Sequence, residues 1–412
     1  MTPSMTTVDR PRPAAPEPDR RTARRRGLLD TGVLTALSIL LALLVGAVLI
    51  AVADAGVQES AGYFFARPSD LLLAAWDAIG EAYLALVQGA VVDPGAADPA
   101  AALRPLTESL VFAAPLIAAG LAVGLAFRAG LFNIGAEGQI ILGAIGASYV
   151  GFAWDLPVVV HVLVALAAAV LLGALWGAIP GVLKARTGAH EVITTIMLNY
   201  VARFLLAFLL STAAFHRPGR SDPISPSVDA TAELPLLLGG WSRLHAGLVL
   251  ALAAAAGVWW LLNRSTPGFR LRAVGANPAA SRTAGIRVGT VTATAMALAG
   301  ALAGLTGAFQ ILGTEKALTG GISAGIGFDA ITVALLGRGN PFGIVGAGLL
   351  FGALRAGGVA MQARTGTPID IVFVVQSLIV LFIAAPPLVR AISRLRARAG
   401  LGPMQISKGW SA

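Results

Sequence analysis

No cysteine occurs in the 412 residues, which excludes disulfides, thiolate zinc sites and cysteine nucleophiles together. Lysine is nearly as scarce. Lys184, Lys316 and Lys408 are the three, and none follows a glycine, so a phosphate-cradling Gly-Lys-Ser/Thr loop has no place here. Any ATP hydrolysis that serves this chain has to come from another polypeptide. Charged residues make up 12%, where a soluble chain carries roughly 25%. Against them stand 56% hydrophobic residues and a mean hydropathy of +0.78. That balance describes an integral membrane protein. The net charge of +9 does not mark a nucleic-acid surface, because the arginines collect in the terminal tails and in short loops between apolar runs, as membrane topology requires.

Two apparent catalytic motifs fail. Gly325-x-Gly327-x-x-Ala330 has dinucleotide-fingerprint spacing, but it lies between apolar runs and not between a strand and a helix. His190-Glu191 starts a zincin pattern whose second histidine is replaced by Thr194. With no paired His, Cys or carboxylate set at ligand spacing, a membrane-embedded enzyme is the weakest reading, and the chain is expected to carry neither metal nor cofactor.

Residues 1–30 are rich in Pro, Arg and Thr and are expected to form a disordered basic cytoplasmic tail. Thr31 to Ala53 is uncharged and longer than the roughly 7–15-residue core of a cleaved signal, so it reads as an uncleaved signal anchor. Residues 54–104 hold seven acids against Arg67 and Arg104, a composition suited to an external loop. Within it Leu71 to Val92 reads as an amphipathic external helix rather than a span. Apolar runs then follow at 109–127, 138–154, 156–183, 192–215, 244–263, 288–314, 330–337, 339–354 and 371–389. With the first span they give an all-α polytopic fold of about ten membrane helices over 31–390, followed by a cytoplasmic tail at 391–412. Alternation places 264–289, with five arginines and no acid, inside with both termini, and the Arg217–Arg243 loop outside.

The stretch Phe127-Arg128-Ala-Gly-Leu-Phe-Asn133-Ile-Gly-Ala-Glu137-Gly-Gln139 sets four polar groups between two uncharged runs. An ionisable group at membrane depth costs about 2.5–3.5 kcal/mol on insertion scales unless it faces a cavity or a partner. Its glycines allow a non-helical passage, tolerated only where protein or water covers the freed amides. It reads as lining of a solute pathway, although a structural Glu137–Arg128 ion pair would explain the acid as well. Asn133-Ile-Gly-Ala-Glu137 also aligns with Gly325-Ile-Gly-Phe-Asp329, and the loop charges give the two opposite directions, the pattern of an inverted repeat. Asp329 then falls near mid-membrane at the start of a half-helix, as a cap for free amides or as a solute contact. Asn199, a turn beyond Thr194 and Thr195, is either interhelical glue or a pathway group. Arg203 is expected to snorkel toward the outer interface. Small-residue pairs at Gly120/Gly124, Gly173/Gly177/Gly181, Gly300/Gly304 and Gly348/Gly352 predict close helix packing.

These residues also carry a resemblance. The 127–139 stretch, Glu191-Val-Ile-Thr-Thr-Ile-Met-Leu-Asn199-Tyr200, Ala273-Val-Gly-Ala-Asn277-Pro278, Gly327-Phe-Asp329 through Gly337-Arg338, and Leu350-Phe-Gly-Ala-Leu-Arg355-Ala-Gly-Gly358 together resemble the permease subunits of bacterial ABC importers, in the nucleoside and simple-sugar branch. The resemblance implies a cytoplasmic-membrane permease for a small polar solute, most readily a nucleoside. Its implied partners are a second permease subunit, an ABC ATPase that binds ATP and Mg, and an external solute-binding lipoprotein. It also implies that the short helix punctuated by Asn277-Pro278 and Gly285, with Gly275, Ala280 and Ala284 around it, seats in the ATPase. From the residues alone, a self-sufficient ion-coupled carrier using Glu137 or Asp329 stays open as the rival.

Overall fold

The computed structural model describes residues 20–385. Of the expected tails, residues 1–19 and 391–412 lie outside the described residues. The first apolar run belongs to α1 (Arg20–Ala53), which starts well before Thr31, so the expected tail is helical from Arg20. Arginine and leucine are good helix formers, and the adjoining span supplies the nucleus that a short helix lacks. Two helices occupy the acidic segment, α2 (Ala55–Gly62) and α3 (Pro68–Ala90). The chain continues through α4 (Pro99–Arg128), α5 (Ala136–Ala153), α6 (Val158–Thr187), α7 (Glu191–Ser211) and α8 (Gly247–Arg264). It goes on to α9 (Thr266–Ala276), α10 (Pro278–Thr283), α11 (Val288–Ala308), α12 (Ile326–Leu336), α13 (Pro341–Thr365) and α14 (Asp370–Ala384).

Each of the ten apolar runs has thus become a helix. Seven are long and apolar enough to cross a membrane: α1, α4, α6, α7, α8, α13, and α11 with the π-helical turn Phe309–Glu315 that prolongs it. α12 and α14 are shorter, and α5 is nearly all buried. The 11 residues of α12 extend about 16 Å, half of a hydrocarbon core of roughly 30 Å.

Small residues set the packing. Along the α6–α11 seam a Cβ on Gly300 would overlap the Gly173 carbonyl, and one on Gly304 the Ala169 carbonyl; α5 joins the seam where Gly143 lies on Gly304. Backbones touch there because lipid offers no hydrophobic drive between helices, and dispersion contact has to supply the attraction. α4 packs on α13 in the same way, with Gly348 against Ile117 and Gly352 against Ser109 and Ala113. A second apolar cluster joins α1, α3, α13 and α14 through Ala42, Ala82, Met361 and Val375.

α3, expected as an amphipathic external helix, packs lengthwise on α13, where Gly89 meets Ala360 and Gly357 meets Leu86. Asp77 and Glu81 stand on its exposed side while Ala82, Ala85 and Gly89 are buried. The charges that argued for an external helix mark the outward stripe of a packed one.

The loop between α7 and α8 contributes β1 (Ile224–Ser227), which pairs antiparallel with β2 (Ala317–Thr319) after the π-helical turn. Ion pairs Arg243–Glu108 at 2.5 Å, Lys316–Glu233 at 2.5 Å and Arg364–Asp93 at 2.5 Å tie helix ends and loops together. They are partly exposed, and pairs of that kind are worth about 0–1 kcal/mol each.

Candidate functional site

The polar stretch joins α4 to α5. α4 closes as a Schellman turn: the Leu131 amide donates to the Ala126 carbonyl (3.0 Å) across Gly130, whose φ is +72°. That left-handed corner suits a residue without a Cβ. A second reason is space, because a Cβ there would lie 3.0 Å from the Gly275 Cα. Beyond the turn, the Gly135 amide donates to Asn133 Oδ1 at 3.0 Å. The Asn133 and Gln139 amides then bond reciprocally, Nδ2 to Oε1 at 3.0 Å and Nε2 to Oδ1 at 3.2 Å, with both side chains buried. Asn199 reaches in from α7: its Oδ1 accepts from the Gly138 amide at 2.9 Å and its Nδ2 donates to the Ile134 carbonyl at 3.0 Å. The irregular backbone therefore has side-chain partners where no water is available.

Glu137 makes the longest-range link. Its carboxylate accepts from Ser323 Oγ at 2.5 Å and from the Gly327 amide at 2.9 Å, and its side chain is buried. Gly327 sits in the first turn of α12, so the free amide at the start of that short helix is capped by Glu137 of α5. The helix start is abrupt: Ala324 has φ +47° and Gly325 +74°. Glu137 and Asp329 each fall in the first turn of their helices, and Gly327 packs on the Glu137 backbone. The two helix openings meet at one point.

Two expectations are corrected here. Arg128 does not pair with Glu137; its Nε donates to the Gly339 carbonyl at 2.9 Å, and Glu137 is already satisfied by neutral donors. Asp329 does not cap α12, since Gly325 is the N-cap residue with no side-chain bond. Its carboxylate instead faces Arg355, with Oδ2 3.6 Å from Nη1. Four of the six expected pathway residues, Asn133, Glu137, Gln139 and Asn199, are bonded at the junction, while Arg128 turns to Gly339 and Asp329, near enough for the Glu137 carboxylate to act on it, turns to Arg355. Thr195 is buried beside Gly135, whereas Thr194 is half-buried and Arg203 is exposed. Arg203 has no ion-pair partner among the described residues and stands between exposed Tyr200 and Phe204.

Sequence reasoning missed Ser323 and Arg355. Ser323 gives no signal, since a serine in a glycine-rich turn is commonplace. Arg355 was detectable as an arginine inside an apolar run. Trp176 was also missed; its indole Nε1 is buried without a partner, and a Cβ on Gly138 would lie 3.0 Å from it.

On the far side of Gly130 lies the expected coupling segment. Ser265 Oγ accepts from the Gly268 amide (3.1 Å) to start α9. Asn277 Oδ1 accepts from the Ala280 amide (3.0 Å) to start α10, with Pro278 in its first turn. Gly285, φ +80°, follows its end. Ala280 and Ala284 are exposed. A Cβ on Gly275 would overlap the Arg128 carbonyl, so this segment bears directly on the turn that leads into the polar junction.

Residues 106–384 match the family described as branched-chain amino acid transport system / permease component. The guanosine ABC transporter permease protein NupP of Bacillus subtilis is 43% identical over 279 residues, 68% of this chain and 80% of that one. The glucose ABC transporter permease protein TsgB13 of Haloferax volcanii is 37% identical over 290 residues, 68% and 75%. The nucleoside ABC transporter permease protein NupB of Lactococcus lactis is 35% identical over 290 residues, 68% and 79%. No solved structure matches.

Proposed function

The chain belongs to the branched-chain amino acid transport system / permease component family, and from that premise we propose that it is the membrane subunit through which an ATP-driven importer passes a nucleoside into the cell. The observation that carries the solute class is the 43% identity to a guanosine permease over most of both chains. The 37% identity to a glucose permease keeps simple sugars as the second reading. The ion-coupled carrier has no support among these relatives, which are named as ABC transporter permeases.

The subunit does no covalent chemistry. Its proposed partners are a second permease subunit, an ABC ATPase that holds ATP and Mg, and an external solute-binding lipoprotein. In this reading 264–289 and both termini face the cytoplasm. The ATPase engages α10 at Ala280 and Ala284, and closure of the ATPases moves α9 and, through Gly275, the turn at Arg128–Gly130. The junction of Asn133, Glu137, Gln139 and Asn199 then passes that movement to α5 and α12, and Asp329 is carried between outward and inward access.

Reconstitution tests the assignment. The complete complex in liposomes should take up radiolabelled guanosine only with ATP and Mg and with the ATPase present. Uptake by this chain alone, driven by an ion gradient, would overturn the importer reading.

A further inference from the structure

Asp329 and Arg355 form a pair that the junction leaves unused. Arg355 is held from three directions: its Nη2 donates to the Ala324 carbonyl at 2.9 Å, and its guanidinium carbon lies 5.9 Å from the Phe112 ring centre and 6.0 Å from that of Phe373. Ala324 is the residue with φ +47°, a conformation that persists only where surrounding groups fix it. Arg355 is such a group. Its other terminal nitrogen, Nη1, lies 3.6 Å from Asp329 Oδ2, close enough for charge attraction and too far for a hydrogen bond.

Asp329 is thereby left incomplete. Among the described residues neither of its carboxylate oxygens receives a hydrogen bond, and its side chain is 29% exposed. A carboxylate in a half-helix at membrane depth does not face lipid in that state; the missing donors have to come from whatever occupies the space before it. Asp329 and Arg355 balance one another, and the Glu137 carboxylate also acts on Asp329. An anion would be repelled by both acids and a cation would compete with Arg355, so the fitting occupant is neutral and presents two adjacent O–H donors to the two oxygens. Ribose and glucose both carry vicinal hydroxyls.

We propose that Asp329, positioned by Arg355, is the acceptor for the vicinal hydroxyls of the solute as it crosses. This rests on the nucleoside importer reading above and assigns recognition to a residue of the permease itself. The test compares maximal ATP-driven uptake of guanosine and of 2′,3′-dideoxyguanosine by the complete complex in liposomes, each at a concentration that saturates the binding protein, so that the ratio reports translocation. Two charge-assisted hydrogen bonds predict a ratio of about tenfold or more in favour of guanosine. Asp329→Asn, which keeps the shape, should cut that ratio to about threefold or less. Arg355→Gln retains a donor for Ala324 and loses the charge, and it should lower the ratio too, whereas a purely structural role would slow both solutes equally. A wild-type ratio near one, or an unchanged ratio in Asp329→Asn at normal abundance, would overturn the proposal. Failure of the wild-type complex to move either nucleoside would overturn the nucleoside assignment and this proposal with it.

Discussion

Glu137 shows how a costly charge is retained at membrane depth: two donors meet it, and they belong to the opposite half of the chain. Glu137→Gln keeps the size but offers one acceptor to two donors and turns an N–H toward the other. The purified protein should lose about 1–3 kcal/mol of stability, read as a lower thermal midpoint. An unchanged midpoint would mean that the link does not hold the helix openings together. A second residue-scale case lies in the loop just before α8. His245 accepts from the Gly247 amide through Nδ1 at 3.1 Å, and burial, with Arg243 nearby, pulls its pKa down to about 4. The folded protein therefore holds the ring neutral while the unfolded chain protonates it near pH 6.5. Stability should fall as pH drops from about 6.5 to about 4, by up to about 3 kcal/mol. His245→Gln should flatten that slope in a thermal melt recorded across the range. The polar residues of 127–139 were legible one by one, because each interrupts an apolar run. Their partners Ser323 and Gly327 were not, since a hydrogen bond between residues 186 or 190 positions apart leaves no local pattern.

Among the helices, the membrane runs and the glycine seams could be read directly, because length and small-residue spacing are properties of one segment at a time. The packing of α3 could not. Asp77 and Glu81 lie beside the stripe of Ala82, Ala85 and Gly89, and only the contacts with α13, Gly89 on Ala360 and Leu86 on Gly357, show which side is buried. The α6–α11 seam gives a sharp contrast. Gly304→Val would set its Cβ on the Ala169 carbonyl and should cost at least the about 1–3 kcal/mol of overpacking, leaving less folded protein after size-exclusion chromatography. Gly257→Ala in α8, with open space around it, should be neutral or stabilising by up to about 1 kcal/mol.

The whole molecule places its proposed ATPase contact and its polar junction on either side of one turn. Replacing exposed Ala280 and Ala284 by glutamate should leave abundance unchanged, abolish co-purification of the ATPase and stop uptake. Retained uptake and a retained ATPase would remove α10 from the contact. The helix punctuated by Asn277-Pro278 and Gly285 was visible in the sequence; the contact of its neighbour Gly275 with Gly130 was not, because nothing in either segment names the other. That contact has a mechanical meaning. A Cβ on Gly275 would overlap the Arg128 carbonyl and one on Gly130 would lie 3.0 Å from the Gly275 Cα, so any other pair would hold the two backbones further apart, and a long side chain between them could take up part of a stroke by changing rotamer. Here the bare backbones of Gly275 and Gly130 meet with no side chain between them, so in the proposed coupling a displacement of α9 presses directly on the turn at the mouth of the junction.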